Sequence, residues 1–150
     1  MIDAKVIVEK MKNQKINYDR VLQKMIQQWQ QEETRPKILI HTCCAPCSTH
    51  TLEFMCQFAE VTLFFSNSNI HPKNEYLRRL HEQKRFVDQF NEQTNHHVQL
   101  IVDDYRPSEF NKMVITQGLT EEKEGGARCS ACFNMRLDLV AQKAQELGYD

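Results

Sequence analysis

Five of the six cysteines fall in two short groups, Cys43-Cys44-Ala45-Pro46-Cys47 and Cys129-Ser130-Ala131-Cys132. A helix N-terminus lowers the pKa of a thiol, and the thiolate is the form that binds metal or attacks a disulfide. Pro46 suits a first helical turn, where its missing N–H costs nothing. Both groups therefore read as helix starts, and three chemistries suit them. An iron–sulfur cluster needs cysteine thiolates, usually four. A structural zinc site uses paired C-x-x-C units such as Cys44–Cys47 with Cys129–Cys132. A dithiol redox centre uses one C-x-x-C at a helix start after a strand, as at Cys44–Cys47. The adjacent Cys43 leaves a fifth thiol beside the four, which weighs against a plain zinc knuckle. Cys56, at helical spacing from Leu52 and Ala59, reads as a core residue.

The elements that must carry these thiols alternate. Residues 1–35 read as helical, with Leu22, Met25, Ile26 and Trp29 on one apolar stripe. Pro36 closes that extension. Short apolar runs at 37–41, 61–65 and 98–102 read as strands buried on both faces of a parallel sheet. Helical stretches at about 46–58, 74–90 and 130–147 lie between and after them, which is the α/β pattern. Ligands of such sheets sit beyond the carboxyl ends of the strands. Here those ends carry His41-Thr42-Cys43-Cys44, Ser66-Asn67-Ser68-Asn69-Ile70-His71-Pro72 and Asp103-Asp104-Tyr105.

Composition bounds the rest. The 150 residues carry a formal net charge of −1, with a mean hydropathy of −0.61. That excludes a globally basic nucleic-acid binder, though not a local basic face. No apolar run has transmembrane length and no secretory h-region opens the chain, so a cytoplasmic protein with no membrane partner is expected. Structural disulfides are not expected in that reducing compartment. The first glycine is Gly118, so no glycine-rich phosphate loop follows the first strand. Thiols and a proline stand there instead, and no nucleotide binding is expected at that loop. Gly148 reads as a helix C′ residue, after which an α/β domain would add a strand. The sheet is expected to be either a minimal version of the fold or truncated at its C-terminus.

Three stretches together resemble one family. They are Ile40-His41-Thr42-Cys43-Cys44-Ala45-Pro46-Cys47-Ser48, then Asn69-Ile70-His71-Pro72 with Tyr76 and Arg79, then Glu124-Gly125-Gly126-Ala127-Arg128-Cys129-Ser130-Ala131-Cys132. In order and spacing, over about residues 20–150, they resemble the QueH family of cobalamin-independent epoxyqueuosine reductases. The resemblance implies a Rossmann-like domain over 37–150, related to the adenine nucleotide alpha-hydrolase (HUP) fold, behind an N-terminal helical extension over 1–36. It implies a [4Fe–4S] cluster with one additional iron. Cys43, Cys44, Cys129 and Cys132 match the cluster ligands, and Cys47 is assigned to the adjacent iron. The implied reaction is the last step of queuosine synthesis, in which an epoxide at the wobble position of tRNA becomes an alkene. Two electrons and two protons release the oxygen as water. Members of the family usually run on through several more elements and another cysteine pair. That departure bears on sheet completeness, electron delivery and activity.

The implied chemistry asks for further groups. An iron with an open position acts as a Lewis acid on the epoxide oxygen, and a cluster supplies electrons singly. The implied reaction also requires an electron donor as a partner. Tyr105, Asp104 and His71 are the candidate proton donors, with a core tyrosine, a cap and a turn residue as their structural alternatives. Asn69 is a candidate to orient substrate. A polyanionic substrate needs a basic face. Residues 71–85 hold Lys73, Arg78, Arg79, Lys84 and Arg85 against Glu75 and Glu82, a net +3. A helical wheel turns Leu77, Leu80 and Val87 inward and Arg78, His81 and Arg85 outward, toward anticodon-stem phosphates. Arg128, beside Cys129, is a further substrate candidate. The acidic stretch 101–124 is expected to face away from RNA. The rival functions are an RNA-binding module stabilised by zinc on four cysteines, without redox activity, and a thiol–disulfide oxidoreductase.

Overall fold

The computed structural model describes residues 4–11 and 15–150. The chain divides into two compact units, one ending at Pro36 and one beginning at Lys37.

The first unit holds two helices, α1 (Ala4–Glu9) and α2 (Tyr18–Gln31). Asn17 caps α2, its side-chain oxygen accepting the Arg20 N–H at 3.1 Å. The apolar stripe is as anticipated, with Ile26 and Trp29 buried, but Val21 joins it as a buried member. Part of the helical expectation falls on residues 1–3 and 12–14, outside the described residues.

The second unit runs β1 (Lys37–His41), α3 (Ala45–Met55), β2 (Glu60–Phe65), α4 (Lys73–Thr94), β3 (Gln99–Val102), α5 (Pro107–Thr116) and α6 (Ala127–Leu147). The three strands form one parallel sheet in the order β1-β2-β3, with Ile40 opposite Leu63 and Phe64 opposite Ile101. Helices flank it: α3 packs on α4, α5 on α6, and α6 on β1. Only β2 is buried along nearly its whole length; β1 and β3 are half-exposed. The expectation of three doubly buried strands therefore holds for the central one alone, because a three-stranded sheet has two edge strands. Leu63, Phe64, Phe65 and Leu52 form the most buried core, and Cys56 is buried as expected.

Two helical details differ from the sequence reading. Helix α5 was not anticipated, although Pro107 opens it and Phe110, Met113 and Val114 follow at helical spacing. In α4 the buried residues are Tyr76, Gln83, Val87 and Phe90, while Leu77 is 48% exposed. The inward face is rotated away from Leu77 because a glutamine, not a leucine, occupies its centre. After α6 the chain turns back to the sheet. The Tyr149 hydroxyl lies 3.0 Å from Thr62 Oγ1. The Lys37 N–H donates to the Asp150 carboxylate and the Asp150 N–H to the Lys37 carbonyl, each at 2.8 Å. Among the described residues no helix is long and apolar enough to cross a membrane.

Candidate metal centre

Thr42, Cys43 and Cys44 carry the chain from β1 to α3. Cys44 takes the N-cap position in extended backbone, and Ala45-Pro46-Cys47 form the first turn. This geometry points three thiols at one another. The sulfurs of Cys43, Cys44 and Cys47 all lie within 4.8 Å of each other. Cys43 and Cys44 are 3.7 Å apart, and Cys44 and Cys47 are 2.8 Å apart. Cys43 and Cys44 are half-buried and Cys47 is exposed.

The three thiols differ in acidity. Burial alone would raise the Cys44 pKa, but its hydrogen bonds with Cys47 and Cys43 and the nearby Arg79 guanidinium outweigh burial and lower it. Sharing that proton pushes Cys47 up to about 12. Burial, then the hydrogen bond with Cys44, raises Cys43, with Arg136 opposing. Cys44 is thus the first thiolate of the three. His41, at the end of β1, lies with Nε2 2.9 Å from the Ser66 carbonyl oxygen. Burial lowers its pKa, the Ser66 bond partly restores it and Arg136 lowers it again.

The second cysteine group sits at the start of α6. The Gly125 N–H donates to Cys129 Sγ at 3.2 Å. Gly125 has φ +82°, a conformation in which a Cβ would be strained. Cys132 is buried and lines a narrow crevice with Ser66, Ser68, Asn69 and Arg136. Arg136, one turn further along α6, also lines a groove of about 440 Å³ with His41, Cys43 and Cys47. The structure therefore gathers Cys43, Cys44 and Cys47 into one group, the only such group of close ligand atoms among the described residues. Cys129 and Cys132 stand outside it, Cys132 on the neighbouring crevice.

The other sequence-predicted residues are placed as follows. The Tyr105 hydroxyl donates to the Ile70 carbonyl at 2.6 Å, and its ring stacks 4.1 Å from that of Tyr76. Asp104 is paired with Arg106 at 2.7 Å. His71 and Lys73 are exposed. Asn69 Oδ1 is buried with no hydrogen-bond partner. Arg78 and Arg79 both pair with Glu75, at 2.9 and 2.8 Å. Their hydrogen bonds hold the Glu75 carboxyl at about 2. Arg85 faces Glu82 at 3.8 Å, and Arg128 donates to the Thr120 carbonyl at 3.3 Å.

Two site residues escaped the sequence reading, Arg136 and Gln83, and Asn67 stood in the polar run after the second strand without a role of its own. Arg136 follows Cys132 by four residues, one helical turn, which was a usable signal. Asn67, 1% exposed, donates to the Thr42 carbonyl at 2.8 Å. Gln83, fully buried, joins Thr42 to Ser48. Nothing local in the sequence announces those contacts.

A thiol donor set this close suits iron or zinc. The guanidiniums of Arg79 and Arg136 favour the thiolate forms that binding requires. The residues therefore fit a metal.

A family profile described as Epoxyqueuosine reductase QueH matches residues 38–150. The chain is 60% identical over 150 residues to the protein of that name from Staphylococcus aureus, covering all of this chain and 62% of that one. It is 58% identical to the Staphylococcus epidermidis protein, covering 63% of it, and 55% identical over 151 residues to that of Streptococcus pyogenes serotype M1, covering 58%. The chain thus spans about three fifths of the length of these relatives.

Proposed function

This chain belongs to the QueH family, and from that premise we propose that it reduces epoxyqueuosine to queuosine at the wobble position of tRNA. The observation that carries the reading is the convergence of Cys43, Cys44 and Cys47 at the carboxyl end of the sheet. The domain from 37 to 150 is read as Rossmann-like, of the HUP type, with 1–36 as a helical extension and the cytoplasm as its compartment.

Cys43, Cys44, Cys129 and Cys132 are assigned to a [4Fe–4S] cluster and Cys47 to an adjacent iron. Bound there, these groups supply single electrons and a Lewis acid for the epoxide oxygen. The ring loses its oxygen as water, taking up two electrons from an external donor and two protons, and a carbon–carbon double bond forms. His71 and Asp104, both exposed, are proton donors of this reading, Asp104 on condition that it leaves its pairing with Arg106. Tyr105, whose hydroxyl donates to the Ile70 carbonyl, is the third proton donor of this reading. Asn69, with a buried acceptor and no protein partner, takes a hydrogen bond from the substrate. Lys73, Arg78, Arg79, Arg85 and Arg128 meet tRNA phosphates, which position the substrate without reading its base.

Anaerobically purified protein is expected to be brown, to contain iron and sulfide, and to give an electron paramagnetic resonance signal on reduction. With a chemical reductant it is expected to convert epoxyqueuosine in tRNA, measured by mass spectrometry of the nucleosides. A colourless protein holding one zinc overturns the cluster assignment. One observation favours a second reading, a thiol–disulfide oxidoreductase: Cys44 and Cys47 lie 2.8 Å apart. That reading predicts a stoichiometric Cys44–Cys47 disulfide and turnover with a dithiol in the absence of iron.

A further inference from the structure

Gln83 is a primary amide with no exposed surface, placed at the centre of the buried face of α4. An amide buried this way costs free energy unless both ends are bonded. Both are. Its Oε1 accepts the Thr42 hydroxyl at 2.8 Å, and its Nε2 donates to Ser48 Oγ at 3.2 Å. Thr42 immediately precedes Cys43, and Ser48 immediately follows Cys47. One side chain from α4 therefore ties together the two ends of the segment that holds the three thiols. Ser48 passes the restraint on, donating to the Ala45 carbonyl at 2.9 Å. Asn67, from the end of β2, holds the Thr42 carbonyl from another side. A leucine at 83 would fill similar space. The amide adds a hydrogen-bonded span between Thr42 and Ser48, the residues that flank the three thiols.

We propose that Gln83 is a positioning residue for the thiol group of Cys43, Cys44 and Cys47, acting through Thr42 and Ser48 to fix their spacing. The proposal rests on reading these thiols as a metal centre. Groups that orient metal ligands without touching the metal typically contribute about 10- to 100-fold in metal affinity.

The test has one arm with metal and one without. In the first, the reduced full-length chain is titrated with Co²⁺ under argon, and the thiolate-to-cobalt charge-transfer band is recorded. Gln83→Leu is expected to bind about 10- to 100-fold more weakly than the wild type. Thr42→Val, which removes the hydroxyl from the same hydrogen bond, is expected to do likewise. The double variant is expected to be no worse than either single one, and Thr42→Ser to restore binding. In the second arm the metal-free chain is equilibrated with glutathione buffers. There the Cys44 and Cys47 thiols give up two electrons and two protons as glutathione disulfide becomes two glutathiones. The fraction of Cys44–Cys47 disulfide reports how close the two sulfurs are held. Gln83→Leu is expected to change that equilibrium constant about tenfold, a shift comparable with the lower end of the metal effect.

Unchanged values in both arms for Gln83→Leu overturn the proposal, and so do losses that add independently in the double variant. A wild type that takes up no Co²⁺ while the disulfide equilibrium still shifts overturns the metal reading and leaves the positioning role standing. Should Gln83→Leu unfold by circular dichroism, Thr42→Val and the milder Ser48→Ala decide the matter by the same two readouts.

Discussion

The thiols that follow β1 and those that open α6 are held in different ways. Cys43, Cys44 and Cys47 occupy a turn fastened by buried side chains from two other elements, Gln83 of α4 and Asn67 beyond β2. Cys129 and Cys132 ride on a helix start, with a backbone N–H from Gly125 on one sulfur and the crevice wall around the other. The first group is close enough to share one ion as it stands. The second brings its donors on a separate element. A centre assembled from both would have one preformed half and one half delivered by a helix.

The largest expected effect tests the preformed half. Cys44→Ser removes the most acidic of these three thiols and is expected to weaken Co²⁺ binding by more than about 100-fold, beyond the range of groups that only orient ligands. Cys132→Ser is expected to abolish the iron and sulfide content of anaerobic protein while leaving Co²⁺ affinity within about threefold, because the Cys43–Cys44–Cys47 group remains. Equal losses in both assays for both variants would erase the distinction between the halves.

Thiol chemistry sharpens the comparison next. Cys44 is held below the ordinary thiol range and Cys47 is pushed up to about 12. Alkylation of the metal-free protein at pH 8 is therefore expected at Cys44 at least about tenfold faster than at Cys47, since only the thiolate reacts. Raising the pH should speed Cys47 far more than Cys44. Peptide mapping by mass spectrometry reads both rates. Equal rates would mean that the two sulfurs do not share a proton in solution.

Gly125→Ala addresses the delivered half. A side chain at φ +82° costs about 1 kcal/mol, which lowers the melting temperature by about 2–4 °C in a chain of this size. Calorimetry measures it, and no shift would mean that the turn before Cys129 relaxes freely.

The smallest expected effect lies away from the sulfurs. Glu75 ties down Arg78 and Arg79, so Glu75→Gln should free two cations. Affinity for an anticodon stem-loop is expected to rise about two- to fivefold at low salt and to fall more steeply with added salt. Lowering the pH from 8 to 5 should not mimic this. A carboxyl held at about 2 stays ionised throughout that window and gives up its pairing only as the pH falls toward that value. Fluorescence anisotropy measures both expectations, and an unchanged affinity would place the RNA on another face.

The sequence reading reached the strands because each is a short apolar run, and it reached the helix starts because Pro46 and the glycines before Cys129 mark them. Residues 37–41 match β1 without adjustment. It missed α5, whose Pro107 and apolar triplet were readable but were overshadowed by the acidic residues around them. It misjudged Leu77 because a wheel scores leucine as core, whereas the structure buries the polar Gln83. The cysteine group was legible because its members are sequence neighbours. The Thr42–Gln83 bond spans 41 positions, and no local pattern encodes a contact made only when α4 packs against α3 and β3.

Helix α6 is anchored at its far end, where Tyr149 meets Thr62 and Asp150 pairs with Lys37. Its 21 residues make a rod about 31 Å long at 1.5 Å per residue. Those contacts lie beyond its last turn, and the two sulfurs ride near its first. A tilt of only about 2° about the anchored end swings the first turn by about 1 Å, since arc grows with the length of the rod. On that geometry the packing of α6 on β1 and α5 sets how far the second pair of sulfurs stands from the first group.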